Sequence, residues 1–196
     1  MSMTETATVL RKKKVTQGRL FTIKVSLRGS KPPIWRRLMV AASSTLAELH
    51  FAIQSSMGWG SCHLHAFEID GRTYGDRSAM DDVTDERRLS LNGIANAGLH
   101  RFSYIYDFGD NWEHVVTIEK IAFADTPLPR PVCIAGKQAC PPDDCGGIWG
   151  YYELLEGLAN PGHPQHADMK DWIDHDFDPE AFEVADANIR LRSHIS

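Results

Sequence analysis

The chain has 196 residues, 42% of them hydrophobic and 24% charged, with a formal net charge of −5. That length suits one ordinary domain, and the balance is globular rather than disordered. It argues against a general nucleic-acid binder, which is usually basic, though a local basic patch stays open, and no apolar run reaches membrane-spanning length.

The opening residues, MSMTETATVLRKKK, lack the apolar stretch of a signal peptide. The expected compartment is therefore the cytoplasm, with no membrane partner. The four cysteines are then expected as thiols or metal ligands, not as a disulfide framework. Residues 1–18 read as a flexible lead-in, and residues 19–196 as the folded domain. The run Arg11-Lys12-Lys13-Lys14 is either a solvated arm or a phosphate-seeking tail.

Leu20–Leu27 alternates polar and apolar residues, with Phe21, Ile23, Val25 and Leu27 as the apolar set, so it predicts a half-buried strand. Arg28-Gly29-Ser30-Lys31-Pro32-Pro33 turns the chain. Ile34–Val40 returns as a second strand. Arg36 and Arg37 are adjacent, so they point to opposite faces. One of them aims at an anionic group, or both are solvated beside a core Trp35.

Thr45–Met57 predicts a helix. Thr45 and Glu48 form a capping box, and Leu46, Leu49, Ile53 and Met57 make one apolar stripe. His50 and Gln54 flank it, as a hydrogen-bonded edge of the core or as ligands. Gly58-Trp59-Gly60 ends the helix.

Cys62–Ile69 alternates again. As a strand it puts His63, His65 and Phe67 on one face. Asp70-Gly71 is a hairpin signal, with Arg72-Thr73-Tyr74 as the return strand. Asp76–Arg88 reads as a surface loop. Leu89–Ala97 predicts a short helix stopped by Gly98. Phe102–Tyr106 and His114–Ile121 then flank the tight turn Asp107-Phe108-Gly109-Asp110-Asn111.

Thr126–Ile148 holds five of the ten prolines and three of the four cysteines. It reads as a long loop, of the kind that is functional or clamped. Trp149–Leu158 and His166–Asp174 predict helices. Asp178-Pro179-Glu180 is a helix-start signature, so the last helix is expected from Pro179 to about Arg192. This order of elements is α+β: a single domain, an antiparallel sheet of hairpins with helices packed on it.

Three constellations can carry chemistry. The first is a divalent-metal site such as zinc. Two imidazoles on one strand face emerge about 7 Å apart and can converge on one ion. His63, His65, Asp110 and His114 make one ligand set. Cys133, Cys140 and Cys145 make a weaker one, because their spacing is not that of zinc ribbons.

The second constellation is acidic. Asp107 and Asp110 meet Asp143 and Asp144 if the long loop folds back, for acid–base work or a cation. Asp and Asn also stabilise tight turns by bonding the backbone two residues on. The Asp107-Phe108-Gly109 triplet matches a kinase motif without its companions, which makes it a chance match. The third constellation is Cys145, ahead of two glycines at a helix start, as an activated thiol. Trp35, Trp59, Trp112 and Trp149 either line a groove or fill the core.

The assembled motifs resemble the plasmid pRiA4b ORF-3-like family, named for an open reading frame on a root-inducing plasmid. They are Pro33-Ile34-Trp35-Arg36-Arg37, Leu49-His50 with Gln54, Met57-Gly58-Trp59 and His63-Leu64-His65-Ala66-Phe67. Tyr106 to His114, Pro141 to Gly147 and Phe177-Asp178-Pro179-Glu180 complete the set, so the resemblance spans about Leu20 to Leu191. It implies a compact α+β domain and brings no catalytic residue set. Members carry passenger or resolvase-like labels, yet no Ser or Tyr nucleophile sits here in an arginine-rich setting.

The leading expectation is an accessory or binding protein of mobile genetic elements, with an unknown protein or nucleic-acid partner. Its recognition surface would draw on Arg36, His50, His63, His65, Asp107, Asp110, Trp112, His114 and Asp144. The alternative is a metal-dependent hydrolase at the same cluster.

Overall fold

The computed structural model describes residues 18–126, 128–173 and 177–193. The expected N-terminal lead-in, with its basic run, lies outside them apart from Gly18.

Among these residues, eight strands form one sheet in the order β5-β4-β3-β6-β7-β1-β2-β8. Strands β1 (Gly18–Leu27) and β2 (Trp35–Ala41) pair antiparallel, from Leu20 opposite Ala41 to Ser26 opposite Trp35. Their alternation is real: Phe21, Ile23, Val25, Leu38 and Val40 are all buried on one face. Each such side chain removed from water contributes roughly 1.5–3 kcal/mol. Helix α1 (Leu46–Met57) covers that face with Leu46, Leu49, Ala52, Ile53 and Met57. Both halves of the Thr45/Glu48 capping box form, and Gly58 ends the helix at φ 110°.

Strands β3 (His65–Ile69) and β4 (Arg72–Gly75) make the expected hairpin. Its two turn residues, Asp70 and Gly71, have φ of 49° and 71°, the type I′ geometry that the dipeptide favours. Strand β5 (Thr84–Asp85) adds a short parallel pairing to β4, so the sheet is mixed at that edge. Helix α2 (Leu91–Asn96) is capped by Ser90. Strands β6 (Arg101–Tyr106) and β7 (Trp112–Ala124) form the central hairpin.

Three expectations about irregular segments fail. Asp76–Arg88 is not all surface loop, since it holds β5 and a 3-10 turn at Glu86–Arg88. The stretch from Thr126 to Ile148 is not all loop: β8 (Val132–Lys137) pairs with β2. The run Val132-Cys133-Ile134 was masked by flanking prolines, and a run that short carries no decisive period. The last helix begins later than expected, as α5 (Val184–Ser193). The Asp178 carboxylate accepts from the Glu180 N–H at 2.9 Å, as a helix cap would. The Pro179 carbonyl instead accepts from Ala139 at 2.9 Å, so it is spent outside any helix. One side-chain-to-backbone bond serves a turn as well as a helix start.

Helices α3 (Gly147–Ala159) and α4 (His166–Trp172) follow the loop after β8. They approach closely at Gly157, where an added Cβ would lie 2.1 Å from the Met169 sulfur. Helix α5 closes the far edge of the sheet, where the Asn188 amide bonds both the N–H and the carbonyl of Cys133.

Candidate functional site

The register of β3 and β6 sets His65 opposite Tyr106. The next pair outward is therefore Leu64 and Asp107, and the Asp107 N–H donates to the Leu64 carbonyl at 2.9 Å. This bond pins the β6–β7 turn beside the segment carrying His63. Asp107 and Asn111 both have positive φ, 55° and 54°, a conformation that Asp and Asn tolerate best among non-glycine residues. Asp107 Oδ1 accepts from the Gly109 N–H at 2.9 Å and holds the turn. Its Oδ2 faces the His63 ring, 3.9 Å from Nε2.

The loop before α3 docks on the same turn. Asp110 Oδ2 accepts from the Gly146 N–H at 3.1 Å. Gly147, at φ 67°, lies so close that an added Cβ would sit 2.3 Å from the Asp110 carbonyl oxygen. That contact requires glycine. It brings Asp144 over the turn, with Oδ1 3.3 Å from His63 Nε2.

His63, Asp107 and Asp144 thus offer one nitrogen and two oxygens, all within 4.8 Å of one another. An ion with bonds of about 2.0–2.2 Å holds its ligand atoms roughly 3–4 Å apart, so the set needs little closing to fit. Mixed imidazole and carboxylate donors suit manganese or zinc. Asp144 is 71% exposed, so the group opens to solvent. Asp143 lies behind it. Burial, with Asp144 and Asp107 nearby, raises its carboxyl above the usual carboxylate range, while His63 acts in the opposite direction. Its Oδ1 is buried without a hydrogen-bond partner.

The other expected site residues go elsewhere. His65 points into the core, and its Nε2 pairs with Glu86 Oε2 at 2.7 Å. His63 is not on that face, because β3 begins only at His65. His50 stacks on His65 at 3.5 Å between ring centroids and bonds the Tyr104 hydroxyl through Nδ1 at 2.8 Å. Gln54 Nε2 donates to the same hydroxyl at 2.9 Å. The hydroxyl thus joins the His50 ring and the Gln54 amide in one buried network. Burial first, and His65 second, push the His50 pKa down to about 3.

His114 is completely buried, and neither ring nitrogen has a partner in hydrogen-bond geometry. Burial pushes its pKa down to about 4. Trp112 is a core residue beside Trp59, not a surface contact. Arg36 is buried and donates to the carbonyls of Ser56, Trp35 and Lys137. Its guanidinium lies 4.0 Å from the centroid of the Phe182 ring. Burial lowers its pKa to about 10. It anchors β2, α1 and β8 and faces no anion site.

Asp110 holds the loop and is not in the donor group. Cys133, Cys140 and Cys145 form no metal group among the described residues. Cys145 is not an activated thiol: burial, then Asp110, raises its pKa to about 12.

Glu86 escaped the sequence reading. Its segment, Asp85-Glu86-Arg87-Arg88, is wholly charged and shows no apolar period, yet Glu86 is only 3% exposed. It was read as surface for that reason, and no local signal separates it from its neighbours.

The molecule is thus an α+β sheet-and-helix domain with a His/Asp cluster, open to solvent on its Asp144 side, at one end of its central hairpin. The family model described as plasmid pRiA4b ORF-3-like protein matches residues 19–186, and the chain belongs to that family. It is 36% identical over 170 residues to the uncharacterised protein y4hQ of Sinorhizobium fredii (strain NBRC 101917 / NGR234), covering 85% of this chain and 87% of that one. The crystal structure of MM3350, a protein of unknown function from Methanosarcina mazei Go1, matches with a TM-score of 0.80 and 38% identity. That match covers 87% of this chain and 98% of the other. No helix among the described residues is long and apolar enough to cross a membrane.

Proposed function

We propose that this protein is a cytoplasmic binding protein associated with mobile genetic elements, whose recognition surface is organised by a divalent cation held between His63, Asp107 and Asp144. One observation carries this reading: three donor atoms from three separate segments lie within 4.8 Å, from buried Asp107 through half-buried His63 to exposed Asp144. Turn chemistry alone does not explain the arrangement, because Asp107 needs only one of its oxygens for the turn. The link to mobile elements is supported by the family's plasmid-derived name. A cation held at this cluster would offset its carboxylates toward an anionic partner.

The test is metal analysis of protein purified without a His tag, with calorimetric titration of manganese and zinc chloride. One equivalent bound, and loss of binding in Asp107→Asn with His63→Ala, is the expected result. No binding by the native protein rejects the reading.

A second reading, a metal-dependent hydrolase, is favoured by the open coordination positions and by Asp143 beside them. Its ligands are His63, Asp107 and Asp144; His65 and Asp110 are bonded elsewhere, and His114 is sealed in the core. Turnover of bis-p-nitrophenyl phosphate in manganese, lost in Asp144→Asn, would support it over simple binding.

A further inference from the structure

A cleft of about 270 Å³ adjoins the cation group, and Asp144 forms part of its wall. Beside Asp144 and Cys145 of the loop, α3, α4 and the residue that precedes α4 complete the lining, with Leu154, Met169 and Trp172 as apolar surface and Glu153 and Gln165 as polar groups. Trp172 is 49% exposed, and Trp149, in the first turn of α3, is 85% exposed. Of the two, Trp172 lines the cleft and Trp149 does not.

We infer that this cleft takes a nucleotide bearing a 5′-phosphate, its base stacked on Trp172 and its phosphate bound to the cation at His63, Asp107 and Asp144. The inference rests on the cation reading above and names the ligand class for that site.

Three points favour this class. The volume lies just below the range of ordinary ligand pockets, so the cleft admits one flat ring system and little more. Trp172 and the neighbouring Met169 supply a stacking platform, which works for any base because every base has a π-face. Glu153 and Gln165 supply an acceptor and an amide at the rim, suited to the hydrogen-bonding edge of a base. The carboxylates repel a phosphate in the absence of metal. A divalent cation reverses the sign locally and leaves positions for phosphate oxygens. Recognition is therefore cation-dependent at the phosphate and sequence-tolerant at the base.

A free mononucleotide and the 5′ end of a single strand share this chemistry. The experiment separates them and also separates failure of the inference from failure of the cation reading. Manganese binding is measured first, by calorimetry, on the native protein and on Trp172→Ala. Fluorescence anisotropy then follows a short 3′-fluorescein oligothymidylate, with and without a 5′-phosphate, in manganese and in chelator. Unlabelled thymidine 5′-monophosphate competes.

The expected result is binding that needs both manganese and the 5′-phosphate. Trp172→Ala should weaken it by about tenfold, with manganese affinity unchanged, and Trp172→Phe should retain most of it. Competition by the mononucleotide at similar concentration identifies the free nucleotide as sufficient; its failure to compete assigns the strand end. Manganese binding with equal affinity for phosphorylated and unphosphorylated probes overturns the inference and leaves the cation site standing. So does a folded Trp172→Ala that binds like the native protein. Absence of manganese binding overturns both.

Discussion

His63 and His65 stand two residues apart and end in opposite surroundings. His65 is sealed: its side chain is 10% exposed, that of Glu86 is 4% exposed, and the two meet at 2.7 Å. His63 is open: its contacts to Asp107 and Asp144 are 3.9 and 3.3 Å, on a solvated edge. The first group has a short, closed contact and no room for anything else. The second has an ion-pair contact at 3.3 Å and a looser one at 3.9 Å, with the Asp144 side chain open to solvent. A closed pair holds the fold in register, whereas an under-satisfied, open group is where a ligand gains most.

The sharpest break in this comparison is Glu86→Ala. It strips the partner from a buried imidazole and should destabilise the protein by about 3–5 kcal/mol in urea unfolding at neutral pH. A loss below about 1 kcal/mol would mean that the pair is not sealed.

Acid comes next. His114 has a native pKa of about 4, against about 6.5 for an unfolded histidine. Between those values the unfolded chain takes up a proton that the native protein refuses. His114 should therefore lower stability as pH drops from about 6.5 to about 4, by about 1.4 kcal/mol per pH unit and on the order of 3 kcal/mol from this group, and His50, held down to about 3, adds a fall of the same sign over the same range. Replacing His114 with Phe should remove about half of that slope and leave the His50 share; an unchanged slope would show that His114 does not titrate this way.

On the open side the effects are smaller and depend on metal. Saturating manganese, at a hundred times its dissociation constant, should raise unfolding stability by about 2.7 kcal/mol. That gain should vanish in His63→Ala, while chelator should leave the Glu86→Ala deficit untouched. The smallest effect sharpens the contrast most. Without metal, Asp144→Asn should change stability by no more than about 0.5 kcal/mol, because the group is exposed and its contacts are solvated. A large loss there would turn the open group into a structural one.

Much of the fold was legible in order. The alternation of Leu20–Leu27, the Thr45/Glu48 box and the Asp70-Gly71 turn are local signals, and each is realised. The site was legible only as a set of segments. The His63 strand, the Asp107 turn and the Asp143–Gly147 loop do meet, yet four ligand candidates became one. His65, His114 and Asp110 are engaged by Glu86, by burial and by Gly146, respectively. Asp107, open to reading as turn former or acid, holds the turn with one oxygen and faces His63 with the other.

Sequence by itself determined what depends on near neighbours: periodicity, caps, tight turns and the stock of donors. Tertiary structure alone decided which donor stays free. A side chain's hydration and hydrogen-bond partners come from residues tens of positions away, and burying it removes the water that would otherwise keep it available. His63 and His65 carry the same chemistry; only packing separates the imidazole that locks the core from the one that faces solvent.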